Sequence, residues 1–247
     1  MNTISERMNV VIMQPFYLFL RKHFHQIQKS DLYIFMDDVR FVKNGHHNRN
    51  RIKGASGLIW LTIPVLQKGK SGQLLKDVEI DNKTDWKKKH WLSIKNNYSK
   101  SKFFKDYSDF FEDVYKRDWK KLVDINIYLI KNISFFLGIE NTKFMLLSEL
   151  NIRNENPTQR IIDICEITGA ANYITGTRAK DYMEEWRWEK TNVKLNYFEP
   201  VYPEYPVHRG EFSDNCSIID LLFNCGKNSY EYIWGRDCKA EFHKQIL

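Results

Sequence analysis

The sequence lacks the long hydrophobic run that a membrane-spanning helix requires. Its apolar stretches, such as residues 58–66, have the length of core strands and fall well short of the ~20 residues of a transmembrane helix. The first nine residues contain Glu6 and Arg7 and no apolar segment ending at a small-residue cleavage site. The sequence therefore excludes a transmembrane protein and predicts a cytoplasmic one.

Cysteine is scarce in the chain. A chain of 247 residues buries enough core to fold without disulfide bonds. We therefore expect free thiols at the four cysteines, which form no Cys-x-x-Cys pair: Cys165, Cys216, Cys225 and Cys238. The adjacent His46 and His47 resemble a metal pair only superficially, because neighbouring residues rarely converge on one ion. No metal site is predicted.

Several common motifs are absent. The sequence contains no P-loop, no Gly-x-Gly-x-x-Gly fingerprint, no Gly-x-Ser-x-Gly elbow and no zinc-binding His-Glu-x-x-His helix. These absences exclude P-loop enzymes, typical dinucleotide-dependent enzymes, serine hydrolases of the α/β class and zinc peptidases. The sequence identifies no cofactor.

The chain has an excess of positive charge, with 38 Lys and Arg against 31 Asp and Glu and a net charge of +7. This excess favours anionic partners, which include nucleotides, phosphosugars, nucleic acids and anionic membrane surfaces. The segment 86–121 holds eleven of the cations and five acidic residues, interleaved with aromatic residues in a helical pattern. We interpret residues 82–138 as a basic helical insertion.

The N-terminal region has the pattern of a βαβ unit. Two buried-strand runs, residues 10–13 and 32–36, are separated by about the length of one crossover helix. Apolar residues recur between them at helical spacing, at Phe16, Leu20, Phe24 and Ile27. The sequence therefore predicts an α/β fold with a Rossmann-like start and a mostly parallel sheet, as a single domain over residues 1–247.

Polar residues follow both predicted strands. Gln14 comes after the first strand, and Asp37 and Asp38 come after the second. Ligands of open parallel sheets bind outside the carboxyl ends of the strands, so these three residues are candidate site residues. The two aspartates could accept a proton, bind sugar hydroxyls or hold a cation, and as turn residues they could equally be structural.

A basic, amide-rich segment follows at residues 40–57. It contains five Lys or Arg and no acidic residue between Val39 and Lys53. Such a segment is either a solvated loop or a phosphate-binding one, because Arg offers a planar fork of donors and Lys a point charge. The candidate binding residues here are Lys43, Asn48, Arg49 and Arg51. We expect both arginines to be exposed.

A helical face in the basic segment mixes polar and aromatic residues. Trp86, His90, Asn97 and Tyr98 lie on related faces at helical spacing. His90 is the leading candidate for a general acid or base, because the unperturbed pKa of histidine lies near neutrality. Asn97 and Tyr98 are candidate substrate-binding residues.

Two short segments resemble motifs of the nucleotidyltransferase superfamily. The start of the predicted first helix carries His23 where that superfamily has a His-x-Gly-His motif, but the first histidine and the glycine are missing. The segment ITGTR at 174–178 is similar to the Ile-Ser-x-Thr-x-x-Arg signature, with Arg178 one place early.

Nine segments in order resemble the WbqC-like family, and together they extend over residues 9–227. They are VIMQP at 11–15, DD at 37–38, NRNRI at 48–52, WLTIPV at 60–65, WKKKH at 86–90, NY at 97–98, SEL at 148–150, YITG at 173–176 and SIIDLLFN at 217–224. The resemblance implies a role in bacterial surface-polysaccharide (O-antigen) biosynthesis, for which transfer of a glycyl or other aminoacyl group to an amino sugar has been proposed. It carries over no established catalytic residues.

The resemblance favours a transferase that acts on a nucleotide- or lipid-linked amino sugar. Acyl transfer to an amine needs a base, donors to the developing oxyanion and cations for a phosphorylated carrier. The candidates are Asp37, Asp38 or His90 for the base, Asn48 or Asn97 for the donors, and Lys43, Arg49 and Arg51 for the cations. Two alternatives remain open: an ATP-dependent nucleotidyltransferase or adenylate-forming enzyme, and a non-catalytic nucleic-acid-binding or scaffold protein, although nucleic acid is the less favoured partner.

Overall fold

The computed structural model describes residues 8–235. Seven strands lie in this part of the chain: β1 Asn9–Met13, β2 Leu32–Phe35, β3 Arg49–Gly54, β4 Gly57–Thr62, β5 Lys143–Leu146, β6 Asn172–Gly176 and β7 Lys194–Phe198. Six α-helices accompany them: α1 Arg21–Gln28, α2 Trp86–Tyr98, α3 Phe104–Lys116, α4 Leu122–Phe136, α5 Pro157–Thr168 and α6 Ile218–Cys225. Short 3-10 helices include Leu147–Glu149, Thr177–Asp181 and Glu185–Lys190.

The chain divides into two compact units. The sheet unit comprises residues 8–15, 25–39 and 139–201, and the hairpin unit comprises residues 16–24, 40–138 and 202–235. Both units are therefore discontinuous in sequence, and α1 contributes residues to each. The predicted single domain with an insertion at 82–138 stays a prediction.

The sheet unit contains a five-stranded sheet in the order β5-β2-β1-β6-β7. Every neighbouring pair is parallel, which confirms the predicted α/β fold with a mostly parallel sheet. β1 and β2 are continuous apolar runs because strands that are covered on both faces carry no polar alternation. Val10, Val11, Tyr33 and Ile34 are fully buried.

Helix α5 covers this sheet with an apolar stripe. Ile161 and Ile162 pack into one buried cluster with Val10 and Ile34 of the strands, and each such side chain contributes about 1.5–3 kcal/mol by burial. Asn156 caps the helix, since its side chain accepts a hydrogen bond from the Gln159 amide at 2.9 Å. The helix ends at Gly169, whose φ of 72° favours glycine. Both boundaries carry the residue types that commonly begin and end a helix, an asparagine cap followed by proline and a terminal glycine.

The sheet reverses its winding direction between β1 and β6. From β1 the chain builds β2 and β5 on one side and β6 and β7 on the other. The ladder between β1 and β6 pairs Asn9 with Asn172 and Val10 with Tyr173, at the amino ends of the two strands. By contrast, β6 and β7 pair through to Gly176 and Phe198. The carboxyl ends at the reversal are therefore where an open parallel sheet offers a crevice.

The hairpin unit contains a two-stranded antiparallel sheet, β3–β4, in the segment that the sequence predicted as polar. The expectation of a loop within residues 40–57 is wrong for Arg49–Gly54, which form β3. These residues alternate between half-buried and buried positions, with Asn50, Ile52 and Gly54 facing inward. This alternation is typical of a strand with one solvent-exposed face. The composition of the segment did not indicate a strand, because its cations are equally common in loops.

The helices of the hairpin unit agree better with the sequence. The predicted basic helical stretch forms α2 and α3, and α4 is followed by Gly138, whose φ is 74°. Helix α6 begins after Ser217, whose side chain accepts a hydrogen bond from the Ile219 amide. No helix within residues 8–235 is long and apolar enough to span a membrane.

Three of the cysteines lie in the described part of the chain. Cys165, Cys216 and Cys225 are buried free thiols, as predicted. Burial raises the pKa of each thiol to about 12, which makes all three unreactive at neutral pH. Cys238 lies outside the described residues.

Candidate functional site

The predicted site residues fall in both units. Gln14, Asp37 and Asp38 belong to the sheet unit. The others belong to the hairpin unit: Lys43, Asn48, Arg49, Arg51, His90, Asn97 and Tyr98.

Asp37 lies two residues beyond the end of β2, and both of its carboxylate oxygens accept hydrogen bonds from within the protein. The Ser148 amide donates to one oxygen at 2.9 Å, and the Ser148 hydroxyl donates to the other at 2.6 Å. Asp37 is 2% exposed. It therefore joins the end of β2 to the 3-10 helix that follows β5, and its proton-accepting positions are occupied.

Asp38 has one oxygen occupied and one open. Arg160, in the first turns of α5, forms an ion pair and hydrogen bond with Oδ2. The same guanidinium also donates to the Ile152 carbonyl at 3.2 Å, which fixes its position. Oδ1 of Asp38 is buried and has no hydrogen-bond partner among the described residues. Buried carboxylate oxygens are normally satisfied, so this atom has unused hydrogen-bonding capacity.

The carboxyl end of β6 presents a second polar segment beside the reversal of the sheet. Thr175 and Gly176 end the strand, and Thr177 and Arg178 begin a 3-10 helix. Gly176 has an ordinary extended backbone (φ −77°, ψ 157°), and a Cβ added there would have no atom within 4 Å. Neither backbone conformation nor packing therefore requires glycine at this position.

Gln14 occupies the corresponding place after β1. It is half-buried and directly follows Met13, the last residue of the strand. Gln14 and Gly176 thus lie at the carboxyl ends of the two strands between which the sheet reverses. The sequence had indicated Gln14 for this reason, and Arg178 through the ITGTR segment alone.

His90 lies at the centre of a closed hydrogen-bond chain in the hairpin unit. Nε2 lies 3.1 Å from the Thr62 carbonyl, which can only accept, so Nε2 carries the proton. Nδ1 then accepts from the Tyr17 hydroxyl at 3.0 Å, and Tyr17 in turn contacts the Tyr115 hydroxyl. Both ring nitrogens of His90 are therefore engaged within the protein.

The environment of His90 also alters its acidity. Burial lowers the pKa of His90 to about 4, against the smaller opposing effect of the Thr62 carbonyl. The pKa near neutrality that made His90 a candidate general acid or base is therefore not kept in the folded protein. With a low pKa, 5% exposure and no open ring nitrogen, His90 is suited to holding α2 against β4.

Tyr98 belongs to a second buried network. Its hydroxyl donates to Oδ1 of Asp220 at 2.8 Å and accepts from the Lys53 amide at 2.8 Å. Tyr205 donates to the other oxygen of Asp220 at 2.7 Å. Burial is the main cause that raises the pKa of Asp220, whereas the two tyrosine hydrogen bonds oppose the shift. The sequence missed Asp220 and Tyr205, because nothing in their spacing indicates that α2 and α6 meet.

The two candidate asparagines donate to the backbone. The amide nitrogen of Asn48 donates to the Ile63 carbonyl at 2.7 Å, and that of Asn97 donates to the Ser93 carbonyl at 2.8 Å within its own helix. Asn48 is buried and its Oδ1 has no partner among the described residues. These contacts tie each amide group to the backbone through one of its two N–H donors.

The arginines of β3 stack on an aromatic ring. The Cζ atoms of Arg49 and Arg51 lie 4.4 Å and 5.0 Å from the centroid of Trp60. Both arginines are half-buried, so the expectation that they are exposed is wrong. Lys43 is exposed and lines an open cleft of about 490 Å³ with Lys70 and Gln73. No group of three or more His, Cys, Asp or Glu arranged to hold a metal ion occurs within residues 8–235.

Comparison with known proteins identifies the family. A profile of the WbqC-like protein family matches residues 14–232. The chain belongs to the WbqC-like family. It is 32% identical over 226 residues to the uncharacterized protein Rv1507c of Mycobacterium tuberculosis, an alignment that covers 91% of this chain and 96% of the relative. No solved structure matches the chain.

The WbqC-like match extends across both units. It begins at Gln14, at the end of β1, and includes Asp38, Gly176 and the hairpin β3–β4. All ten residues that the sequence indicated lie within it. The family match therefore includes residues of both units, and of the strands only β1 lies before it.

Proposed function

We propose that this WbqC-like protein is a transferase of bacterial surface-polysaccharide biosynthesis. In this proposal it attaches a glycyl or other acyl group to the amino group of a sugar that is linked to a nucleotide or lipid carrier. The family resemblance supports the proposed chemistry. The carboxyl edge of the sheet unit supports the proposed location of the reaction.

The reversal of the sheet between β1 and β6 is the observation that carries the proposal. Open parallel sheets bind nucleotides and related ligands outside the carboxyl ends of their strands at such a reversal. Gly176 leaves open space there, which a residue with a side chain would occupy. Arg178 is an exposed cation in the turn that follows, and it is available to a phosphate of the carrier.

Asp38 is the group best suited to accept the proton. The sugar amine attacks the acyl carbonyl, a C–N bond forms, and the bond to the donor breaks with its electron pair leaving on the donor. The amine loses one proton in this step, and the open Oδ1 of Asp38 accepts it. Arg160 holds the other oxygen and so fixes the carboxylate in one orientation.

The test is a transfer assay on the purified chain. Nucleotide-linked amino sugars are incubated with coenzyme A thioesters, with aminoacyl-tRNA, or with glycine and ATP, and the sugar product is detected by mass spectrometry. The same sugars without the amino group serve as negative substrates. We expect acylation of the amino sugars alone.

A matched pair of variants assigns the role of Asp38. Asp38→Asn keeps the shape of the side chain and removes the acceptor, so we expect a loss of about 100-fold in kcat, within the range for a general base. Asp31→Asn makes the same change at the opposite end of β2, where Asp31 accepts from the Asn9 amide at 2.7 Å, and should leave kcat unchanged. Equal rates in both variants would remove Asp38 from the mechanism, and absence of transfer with every donor would overturn the function.

A nucleotidyltransferase is the second candidate, favoured by the segment ITGTR at the carboxyl end of β6. Release of pyrophosphate from ATP in the presence of an acyl or sugar partner tests it. The partial match to the His-x-Gly-His motif gives this candidate little support, because burial lowers the pKa of His23 to about 3 and that of His25 to about 4. No pyrophosphate release with any partner would remove this candidate.

A further inference from the structure

We propose that the outer face of the β3–β4 hairpin binds a diphosphate, such as that of a nucleoside diphosphate or a prenyl diphosphate. This hairpin face is defined by Arg49, Arg51, Lys53 and Trp60. The choice of carrier diphosphates as probes rests on the proposed function, but binding of a diphosphate can be measured without any transfer.

The strand geometry places the three cations together. Residues at alternate positions of a strand share a face, and they are separated by about 6.7 Å along it. Arg49, Arg51 and Lys53 are the half-buried positions of β3, whereas Asn50 and Ile52 point inward. The cations therefore form one row on the outer face of the hairpin.

Trp60 orders this row from the neighbouring strand. It lies directly opposite Arg51 in the antiparallel register, and it is close to the guanidinium groups of both arginines. The ring is 44% exposed, which leaves apolar surface for a base or a sugar. Stacking of this kind fixes two long side chains that would otherwise lose rotamer freedom on binding a ligand.

No carboxylate forms an ion pair with the row among residues 8–235, although Asp220 interacts electrostatically with Lys53. None of the three cations forms an ion pair there, and the nearby acids have other partners. Asp214 pairs with Arg21, and Asp220 lies buried between two tyrosine hydroxyls. The Nε atoms of Arg49 and Arg51 are buried and have no hydrogen-bond partner in the part of the chain that the structure describes. Like charges held together without a counter-charge repel each other, and a bound anion removes that repulsion.

The composition of the hairpin face suits a diphosphate. One guanidinium donor of Arg49 is used by the Asn44 carbonyl. The remaining donors of Arg49 and those of Arg51 can each engage one phosphoryl group, and Lys53 adds a point charge at the end of the row. A nucleic acid needs a longer track of cations and successive stacking platforms. The hairpin face has three cations and one aromatic ring, which suits a ligand with two phosphates.

The experiment is calorimetric titration of the full chain with inorganic pyrophosphate at low salt concentration. In the variant Arg49→Gln/Arg51→Gln we expect affinity to fall by at least tenfold. The control, Lys88→Gln/Lys89→Gln, removes the same charge from exposed positions of α2 in the same unit, and we expect its affinity to stay within twofold of the parent. The conservative variant Arg49→Lys/Arg51→Lys keeps the charge without the fork and should lie between them.

The outcomes separate the hairpin face from general electrostatic attraction. Equal weakening in the two glutamine variants, or no binding of pyrophosphate to the parent, would overturn the proposal. Thermal unfolding of each variant shows whether the fold is intact. If Arg49→Gln/Arg51→Gln unfolds, the variant Arg49→Lys/Arg51→Lys still tests the proposal. Failure of the transfer assay with intact pyrophosphate binding would count against the proposed reaction and leave the diphosphate site standing.

Two further ligands identify the source of the diphosphate. Uridine diphosphate tests a nucleotide carrier, and farnesyl diphosphate in phosphatidylcholine vesicles tests a lipid carrier. Binding of either ligand supports the proposal if it is weakened in Arg49→Gln/Arg51→Gln and is not weakened in the control Lys88→Gln/Lys89→Gln. Binding of either ligand that is unaffected in the arginine variant would contradict it.

Discussion

The buried polar networks of the hairpin unit and the carboxyl edge of the sheet unit use similar side chains in opposite ways. His90, Tyr98 and Asp220 have hydrogen-bond partners on every functional atom. At the sheet edge, Asp38 keeps a buried oxygen without a partner among the described residues. Gly176 there leaves space that the fold does not use.

The difference indicates how to separate structural from functional polar residues in this chain. A buried polar group that is fully paired stabilises the fold, because removing either partner leaves the other unsatisfied. A group with remaining capacity, fixed by one partner and open at another atom, can bind a ligand. By this criterion Asp38 and the arginines of the hairpin face are better functional candidates than His90 or Tyr98.

The largest effect should come from breaking the network around Asp220. Asp220→Ala leaves the hydroxyls of Tyr98 and Tyr205 buried without their acceptor, so we expect a loss of about 4 kcal/mol in the free energy of unfolding. Asp220→Asn keeps an acceptor and should cost about 1 kcal/mol. Denaturant unfolding measures both, and a loss in Asp220→Ala as small as that in Asp220→Asn would show that the network is not structural.

The next largest effect should be the pH dependence of the free energy of unfolding, to which His90 contributes. The folded pKa of His90 is about 4 and the unfolded value is about 6.5, so the unfolded state binds more protons between these values. Stability is therefore unaffected above pH 6.5, falls as the pH drops towards 4, and stays reduced below that. For one proton the slope is about 1.4 kcal/mol per pH unit.

His90→Gln tests this source directly. Glutamine can donate to the Thr62 carbonyl and accept from Tyr17, so the variant should fold, lose part of the slope and keep acyl transfer. Unfolding curves between pH 4 and pH 7 check the first point. Loss of transfer in a folded His90→Gln protein would break the comparison, since His90 would then be functional despite its filled hydrogen bonds.

A smaller effect is expected from substituting two glycines of the sheet unit. Only one of them, Gly169, has a backbone conformation that favours glycine. Gly176→Val adds a side chain to open space at the reversal of the sheet, so it should preserve stability and weaken binding of a nucleotide-linked amino sugar by about tenfold, or 1.4 kcal/mol. Gly169→Ala forces a side chain into the left-handed region and should cost about 1 kcal/mol of stability with unchanged affinity. Thermal unfolding and calorimetric titration distinguish the two, and unchanged affinity in Gly176→Val would separate the reversal from the ligand site.

The smallest effect should come from Trp60. Trp60→Ala removes the ring that orders Arg49 and Arg51 and leaves their charges, so pyrophosphate affinity should fall by about threefold, or ~0.7 kcal/mol. Trp60→Phe keeps a ring and should lie closer to the parent. A loss in Trp60→Ala equal to that in the double arginine variant would mean that the ring, rather than the charges, dominates binding.

Much of the sheet unit could be predicted from local pattern. The strands β1 and β2, the cap at Asn156 and the end at Gly169 all follow from rules that operate over a few residues. The strand β3 could not be predicted in this way, because its outer face consists of cations, which are equally common in loops. Its inward residues, Asn50 and Ile52, are too few to reveal a period of two.

The candidate site was predicted in part. The carboxyl-edge rule indicated Gln14, Asp37 and Asp38, but nothing in the sequence distinguished the two aspartates. That distinction depends on Ser148 and Arg160, which are more than 100 residues away in the chain. His90 was indicated by its chemistry alone, and its burial and filled hydrogen bonds depend on contacts with Tyr17 and Thr62.

The sequence by itself determined the family, the parallel α/β class and the excess of positive charge, because these depend on composition, on ordered motifs and on short-range periodicity. Only the tertiary structure decided which polar atoms remain open. Hydrogen-bond satisfaction is set by partners that are distant in sequence, and a side chain carries no local record of them. This is why Asp37 and Asp38, adjacent in the chain, differ: the first is closed by Ser148, and the second is held by Arg160 with one oxygen unused.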